Sequence, residues 1–230
     1  MRGARPAAGG GRWVEISPER IRGWLDGFYG RHDGATEQGL TVTGASNGDT
    51  ATLHPPPGVV GVTDIDGLLT ALIRPPRIGL LVARKGAVAA GIVDGTTITA
   101  SKVERHYVQG RTAAGGQSQQ RYARRRDNQA TAAAGKAADI VARVLLPHVP
   151  GAAESAADTR AGAGAGAEEP IRALVCGGDR LMVDAVLADR RLALLLPLRH
   201  AHLLDCPEPR LAVLQDAAVT ARRVRIHLVP

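Results

Sequence analysis

Residues 78–83 and 87–93 are short apolar segments and 96–103 a more polar one, separated by Arg84-Lys85-Gly86 and Asp94-Gly95. Turns this tight join only antiparallel neighbours, because parallel strands need a long crossover. The stretch therefore predicts an antiparallel meander, and the chain must be built around a sheet. A second hairpin is predicted upstream, where residues 39–45 and 50–54 flank Ser46-Asn47-Gly48-Asp49. Asn-Gly between alternating segments favours a two-residue turn with positive φ.

Helices are expected between and after these strands. Ser17-Pro18-Glu19 marks a helix start, with Ser17 as N-cap and Pro18 in the first turn. Ile21, Trp24, Leu25 and Phe28 follow at helical spacing, and the two aromatic residues read as core packing rather than base stacking. A short helix is expected over 64–73, ended by Pro75-Pro76, and a long one over 118–146, stopped by Pro147 and Pro150. Ala130, Ala133, Ala137, Val141, Val144 and Leu145 form the apolar stripe of the long helix. The stripe is missing from the first two turns, so that end is expected to project beyond the sheet. A strand over 171–176, a helix capped by Asp179, a strand around Leu203-Leu204, a helix over 207–220 and a final strand over 223–229 complete the reading. The late segments read as further layers of the same sheet. The expected organisation is a disordered stretch over 1–11 and one domain over 12–230, with 151–169 as a disordered Ala/Gly-rich internal loop. The fold class is α/β, a mixed sheet flanked by helices.

At 230 residues and 44% hydrophobic, the chain can bury a substantial core. Aromatics are only 3%, so aliphatic residues must fill it. No apolar run approaches the roughly 18 residues a membrane span requires. The N-terminus lacks the apolar region of a secretory signal. Cys176 and Cys206 are far apart and form no C-x-x-C pair. They read as reduced, buried thiols of a cytoplasmic protein, with no zinc site. A formal net charge of +7 favours a polyanionic partner, nucleic acid before membrane.

That charge is concentrated where the meander ends. From Ser101 to Arg126 the cations are Lys102, Arg105, Arg111, Arg121, Arg124, Arg125 and Arg126, against Glu104 alone. Within the stretch, Gly115-Gly116-Gln117-Ser118 follows a run of small residues and leads straight into the arginines. Two glycines open backbone angles closed to other residues, and arginines suit phosphate. The pattern reads as an RNA-anchored loop that delivers one glutamine into another molecule's active site.

The run GGQS, then Arg121, Tyr122, Ala123, Arg124 and Arg126, resembles the GGQ domain of eukaryotic and archaeal class I release factors. His106-Tyr107-Val108 and Arg111 are similar to the Vms/ANKZF branch of that superfamily, the release-factor-like peptidyl-tRNA hydrolases of ribosome quality control. By element order the resemblance extends over 78–229, whereas the first 75 residues carry no such motif. It implies a release-factor GGQ-domain-like, RNase H-like mixed sheet with a protruding loop. It also implies hydrolysis of the ester between a nascent peptide and tRNA. In that family the main chain of the GGQ glutamine, here Gln117, is the oxyanion donor, and its side chain shapes the water pocket. Gly115 and Gly116 then supply the loop conformation. Arg121, Arg124, Arg125 and Arg126 would hold ribosomal RNA or the tRNA acceptor end, followed by Arg111, Arg105 and Lys102. The partners so implied are the large ribosomal subunit, ribosomal RNA and peptidyl-tRNA, with no membrane, no metal and no cofactor, for a monomer.

No stop-codon-reading motif of the N-I-K-S type, zinc finger or ankyrin repeat is found. Codon-independent release on stalled subunits is therefore expected, for ribosome rescue rather than termination. Two alternatives remain at this point: a tRNA endonuclease acting near the CCA end, and a non-catalytic ribosome- or RNA-binding module. Smaller constellations read more plainly. Cys176-Gly177-Gly178-Asp179 is a glycine turn with an Asp cap before it is a phosphate site. Asp179 and Asp184 lie too far round a helix to pair on a metal. His200 and His202 read as surface or satisfied histidines.

Overall fold

A computed structural model describes residues 5–105, 119–150 and 169–230. The chain divides into two compact units, residues 77–218 and residues 1–76 with 219–230. The sequence reading expected one domain over 12–230.

Residues 77–218 are built on a four-stranded mixed sheet. Its strands are β6 (Ile78–Arg84), β7 (Ala87–Asp94), β8 (Thr97–Arg105) and β9 (Ala173–Gly178). The order is β8-β7-β6-β9, with the predicted meander antiparallel and β9 parallel to β6. Helix α3 (Gln119–Leu145) lies in the crossover that this parallel pairing requires. β6 and β7 are buried along nearly their whole length, which is why they read as continuous apolar runs. On one face Leu81, Ala83, Val88, Ala90 and Ile92 pack with α3 and with α4 (Arg180–Leu187). The other face meets α5 (Leu211–Ala221), whose Leu214 sits so close to Gly91 that a Cβ there would lie 2.8 Å from Leu214 Cδ2.

The buried positions of α3 include Ala134, Ala137, Ala138, Ile140, Val141 and Leu145. The predicted stripe thus holds at Ala137, Val141 and Leu145, whereas Ala133 and Val144 are only half-buried. The side chain of Ala130 lies outside the described residues. The chain leaves α3 through a 3-10 turn, Leu146–His148, that contains Pro147.

The other unit holds a six-stranded antiparallel sheet of β1 (Arg5–Pro6), β2 (Arg12–Ile16), β3 (Ala35–Gln38), β4 (Thr41–Gly44), β5 (Thr50–His54) and β10 (Val224–Val229). Its order is β1-β2-β10-β5-β4-β3. Helices α1 (Pro18–Arg31) and α2 (Ile65–Ala71) cover one face, burying Ile21, Leu25, Phe28, Leu53, Leu68 and Ile226. Asp64 caps α2, its carboxylate accepting from Gly67 N at 2.7 Å. Ser17 is the N-cap of α1 by backbone alone, with no capping hydrogen bond from its side chain.

Several expectations are corrected. Residues 5–11, read as disordered, form β1 and a turn back to β2 in which Gly9, Gly10 and Gly11 have positive φ. The final strand does not extend the meander sheet: β10 pairs with β2 and β5. β3 and the 3-10 segment Arg190–Leu198 had no periodic signal, and α5 starts at Leu211 rather than 207. Around Leu203-Leu204 there is only an isolated bridge to Gly177. Residues 151–168 lie outside the described residues.

Candidate functional site

β8 is the edge strand through which the chain enters the segment singled out in the sequence, and α3 is the element that leaves it. Gly115, Gly116, Gln117 and Arg111 lie outside the described residues. Arg121, Arg124, Arg125 and Arg126 occupy the first turns of α3. At about 100° per residue, positions 121, 124 and 125 share one sector of the helix, centred roughly 140° from the face formed by 134, 137, 138, 141 and 145. Positions 121, 124 and 125 therefore belong to a different sector of the helix from the one that packs on the sheet, whereas 126 falls in register with 137 and 140 at the edge of the packed sector.

Lys102 and Arg105 are separated by the alternation of β8. Lys102 registers with Ala90, which belongs to the core under α3, so Lys102 is on the α3 face. Arg105 is three residues on and falls on the opposite face. The two were read together as secondary RNA contacts, and the sheet puts them on different sides.

The register also gathers cations that the sequence reading left out. Arg84, Ala87 and Arg105 form one row across β6, β7 and β8, so Arg84 and Arg105 are two strand spacings apart, about 10 Å. Lys85 lies in the adjoining turn and is exposed, as is Arg180 at the start of α4. Arg84 is held in place by donating from Nε to Cys206 O at 2.7 Å. The turn 84–86 carried the signal for this row, but its meaning depended on the pairing of β8 with β7.

The Gly177-Gly178-Asp179 turn is a capped helix start. The Asp179 carboxylate accepts from Leu181 N at 2.9 Å and Met182 N at 3.3 Å, which fills the place an anion would take. Asp184 pairs with Arg199, Nη2 to Oδ1 2.6 Å. His202 N donates to His200 Nδ1 at 3.2 Å.

Cys176 and Cys206 are both buried, and no disulfide joins them. Cys176 belongs to the α3-side core, whereas Cys206 Sγ lies 2.7 Å from where a Gly177 Cβ would stand, on the other side of β9. Burial pushes the Cys176 thiol up from 9.0 to about 11, with Asp184 adding to the rise and Arg199 opposing it. The folded protein thus holds this proton more tightly than the unfolded chain. The associated stability is complete below pH 9 and is lost as pH rises towards 11. Cys176 is therefore expected to stay unlabelled by a thiol reagent at pH 8 and to react on unfolding. Rapid labelling of Cys176 in the native protein, mapped by mass spectrometry, would contradict this environment.

The elements so far define an α/β unit with a basic approach to the segment between β8 and α3. The family model described as Actinobacteria/chloroflexi VLRF1 release factor matches residues 76–227. This is more than half of the chain, and the chain belongs to that family. Among solved structures, the chain is similar to the archaeal translation termination factor aRF1 at 16% identity, over 91% of this chain and 63% of that one, with a TM-score of 0.45. It is also similar to a structure titled "Archaeal protein" at 14% identity, over 89% of this chain and 62% of that one, with a TM-score of 0.37. The chain thus spans less than two thirds of either. A search of curated proteins gives no match. Among the described residues no helix is long and apolar enough to cross a membrane.

Proposed function

We propose that this chain is a peptidyl-tRNA hydrolase that releases nascent peptides from stalled large ribosomal subunits without reading a codon. The observation that carries the reading is that the release-factor family match encloses the Gly115-Gly116-Gln117 run and the arginines after it. Water attack on the peptidyl ester builds a tetrahedral oxyanion and then expels the ribose 3′-hydroxyl. A main-chain N–H aimed at the developing charge lowers that barrier, and Gln117 is the residue proposed to supply it. Its side chain would exclude nucleophiles larger than water. Arg121, Arg124, Arg125 and Arg126 would neutralise phosphates of ribosomal RNA or of the tRNA acceptor end, with Arg111, Arg105 and Lys102 around them. The chain would act in the cytoplasm as a monomer, and the ribosome would complete the site, so the chemistry calls for no cofactor.

The test is to add the purified protein to large subunits carrying labelled peptidyl-tRNA and to resolve both products on a gel. Free peptide with intact tRNA is the expected result. A tRNA shortened near its CCA end would replace hydrolysis by nuclease action. Binding with neither product would leave a non-catalytic ribosome-binding module.

Charge reversal at both Arg124 and Arg125 should weaken subunit binding and flatten its salt dependence. Each lost phosphate contact lowers the log–log slope by about 0.7–0.9, so the double variant should lose roughly 1.4–1.8. An unchanged slope across a salt series would remove these arginines from the RNA contact.

A further inference from the structure

The family match leaves out residues 1–75, and nothing so far gives their sheet a role. One face of that sheet is covered by α1 and α2, and its core contains no part of Trp13. Trp13 belongs to the opposite face, which by strand alternation it shares with Glu15, Arg225, His227, Thr52 and His54. It registers with His227 on β10. The indole stacks on His227 with centroids 4.8 Å apart and planes 23° apart. Arg225 Cζ lies 4.3 Å from the Trp13 ring centroid. The indole extends past β10 to His54 on β5, at 5.0 Å. Three adjacent strands thus contribute one assembly of planar groups on a face that is half-buried or exposed.

The assembly is held by more than contact between rings. His227 Nε2 lies 3.0 Å from Gly10 O. A carbonyl only accepts, so Nε2 carries the proton and donates. That bond ties the β1–β2 turn to the stack. In the turn, a Cβ on Gly11 would lie 2.1 Å from Leu228 O, so only glycine permits this approach. Burial, then the charges of Arg225 and His227, lowers the pKa of His54, which keeps it a neutral planar ring at neutral pH. The charge of the face is positive. Glu15 is its one carboxylate on β2, β10 and β5, and it is already paired with Arg223 at 3.5 Å. The positions beside the stack are threonines, such as Thr52, which registers with His227.

We propose that this face of the six-stranded sheet, centred on Trp13, Arg225, His227 and His54, binds single-stranded RNA. Indole, imidazole and guanidinium planes stack on unpaired bases, and sheet faces that display them suit splayed strands rather than closed duplexes. The arginines draw the phosphates, and threonine hydroxyls can bond base edges or 2′-hydroxyls. An acidic peptide would use the charge but not the stacked planes. This inference concerns different residues from 106–126 and stands whether or not the chain hydrolyses peptidyl-tRNA.

The experiment uses the full chain with Arg124→Glu and Arg125→Glu, so that the α3 arginines contribute little. Binding of a fluorescein-labelled 12-nucleotide single-stranded RNA of mixed sequence is followed by anisotropy. Trp13→Ala should weaken it by about 5- to 150-fold, the range for loss of one base stack. Thr52→Glu places a carboxylate on the face without touching the core, gives up the Thr52–Thr41 hydroxyl bond of 3.0 Å, and should weaken RNA binding at least as much while still melting cooperatively. It decides the matter if Trp13→Ala fails to fold. A 12-base-pair RNA duplex should bind more weakly than the single strand. RNA carrying 4-thiouridine should crosslink to peptides containing Trp13, His54 or His227. The proposal is overturned if the parent does not bind the single strand, if folded Thr52→Glu binds as the parent does, if duplex or an acidic peptide is preferred, or if crosslinks fall only outside this sheet.

Discussion

Peptide release should fall by at least about 100-fold in Gly116→Val, with subunit binding and melting temperature unchanged. The proposed chemistry rests on one main-chain donor, and loss of such a donor typically costs about 100- to 1000-fold in rate. A β-branched side chain at 116 restricts the backbone immediately before Gln117, where Gly-Gly now allows nearly any angle. Gln117→Ala is the informative comparison. It keeps the N–H and removes only the side chain proposed to shape the water pocket, so its loss should be smaller, with larger nucleophiles admitted. The measurement is single-turnover release of labelled peptide from large subunits, beside pelleting of the protein with the subunits. Release by Gly116→Val at the parental rate would show that this loop does not perform the chemistry, and would favour the non-catalytic reading.

Gly178→Ala should destabilise the unit of residues 77–218 by about 2–4 kcal/mol. Two constraints meet at this position. Its φ is +93°, which an L side chain adopts only with strain, and a Cβ there would lie 2.4 Å from Ala83 O. The obstacle is backbone, so a rotamer change cannot relieve it. Relief would require movement of the end of β9 against β6, where Asp179 N also donates to Ala83 O at 2.8 Å. Gly135→Ala is the control: nothing lies within 4 Å of the added Cβ, and a helix interior favours alanine by about 1 kcal/mol. The two variants should therefore move the melting temperature in opposite directions. A Gly178→Ala protein that melts with the parent would mean that this turn is not as tightly joined to β6 as the structure has it.

The parts legible from sequence are those whose interactions close within a few residues. Asp179 was readable as a cap because its carboxylate bonds the N–H groups two and three positions ahead. The Asn47-Gly48 hairpin and the three-strand meander were readable because tight turns admit only antiparallel neighbours. The candidate segment stood out for the same reason, as a run of neighbouring residue types.

Tertiary structure alone decided which distant strands meet. β9 lies parallel to β6 across a crossover containing α3, and β10 returns to β2 and β5 near the other end of the chain. An apolar strand such as 224–229 is compatible with either sheet. Its partner is selected by how much apolar surface the whole assembly buries, a quantity no local window contains. The same pairing determines what side chains share a face. It separates Lys102 from Arg105, aligns Arg84 with Arg105, and brings His227 against Trp13. None of those neighbours is adjacent in sequence, because they are set by sheet register, and register exists only once the strands have found each other.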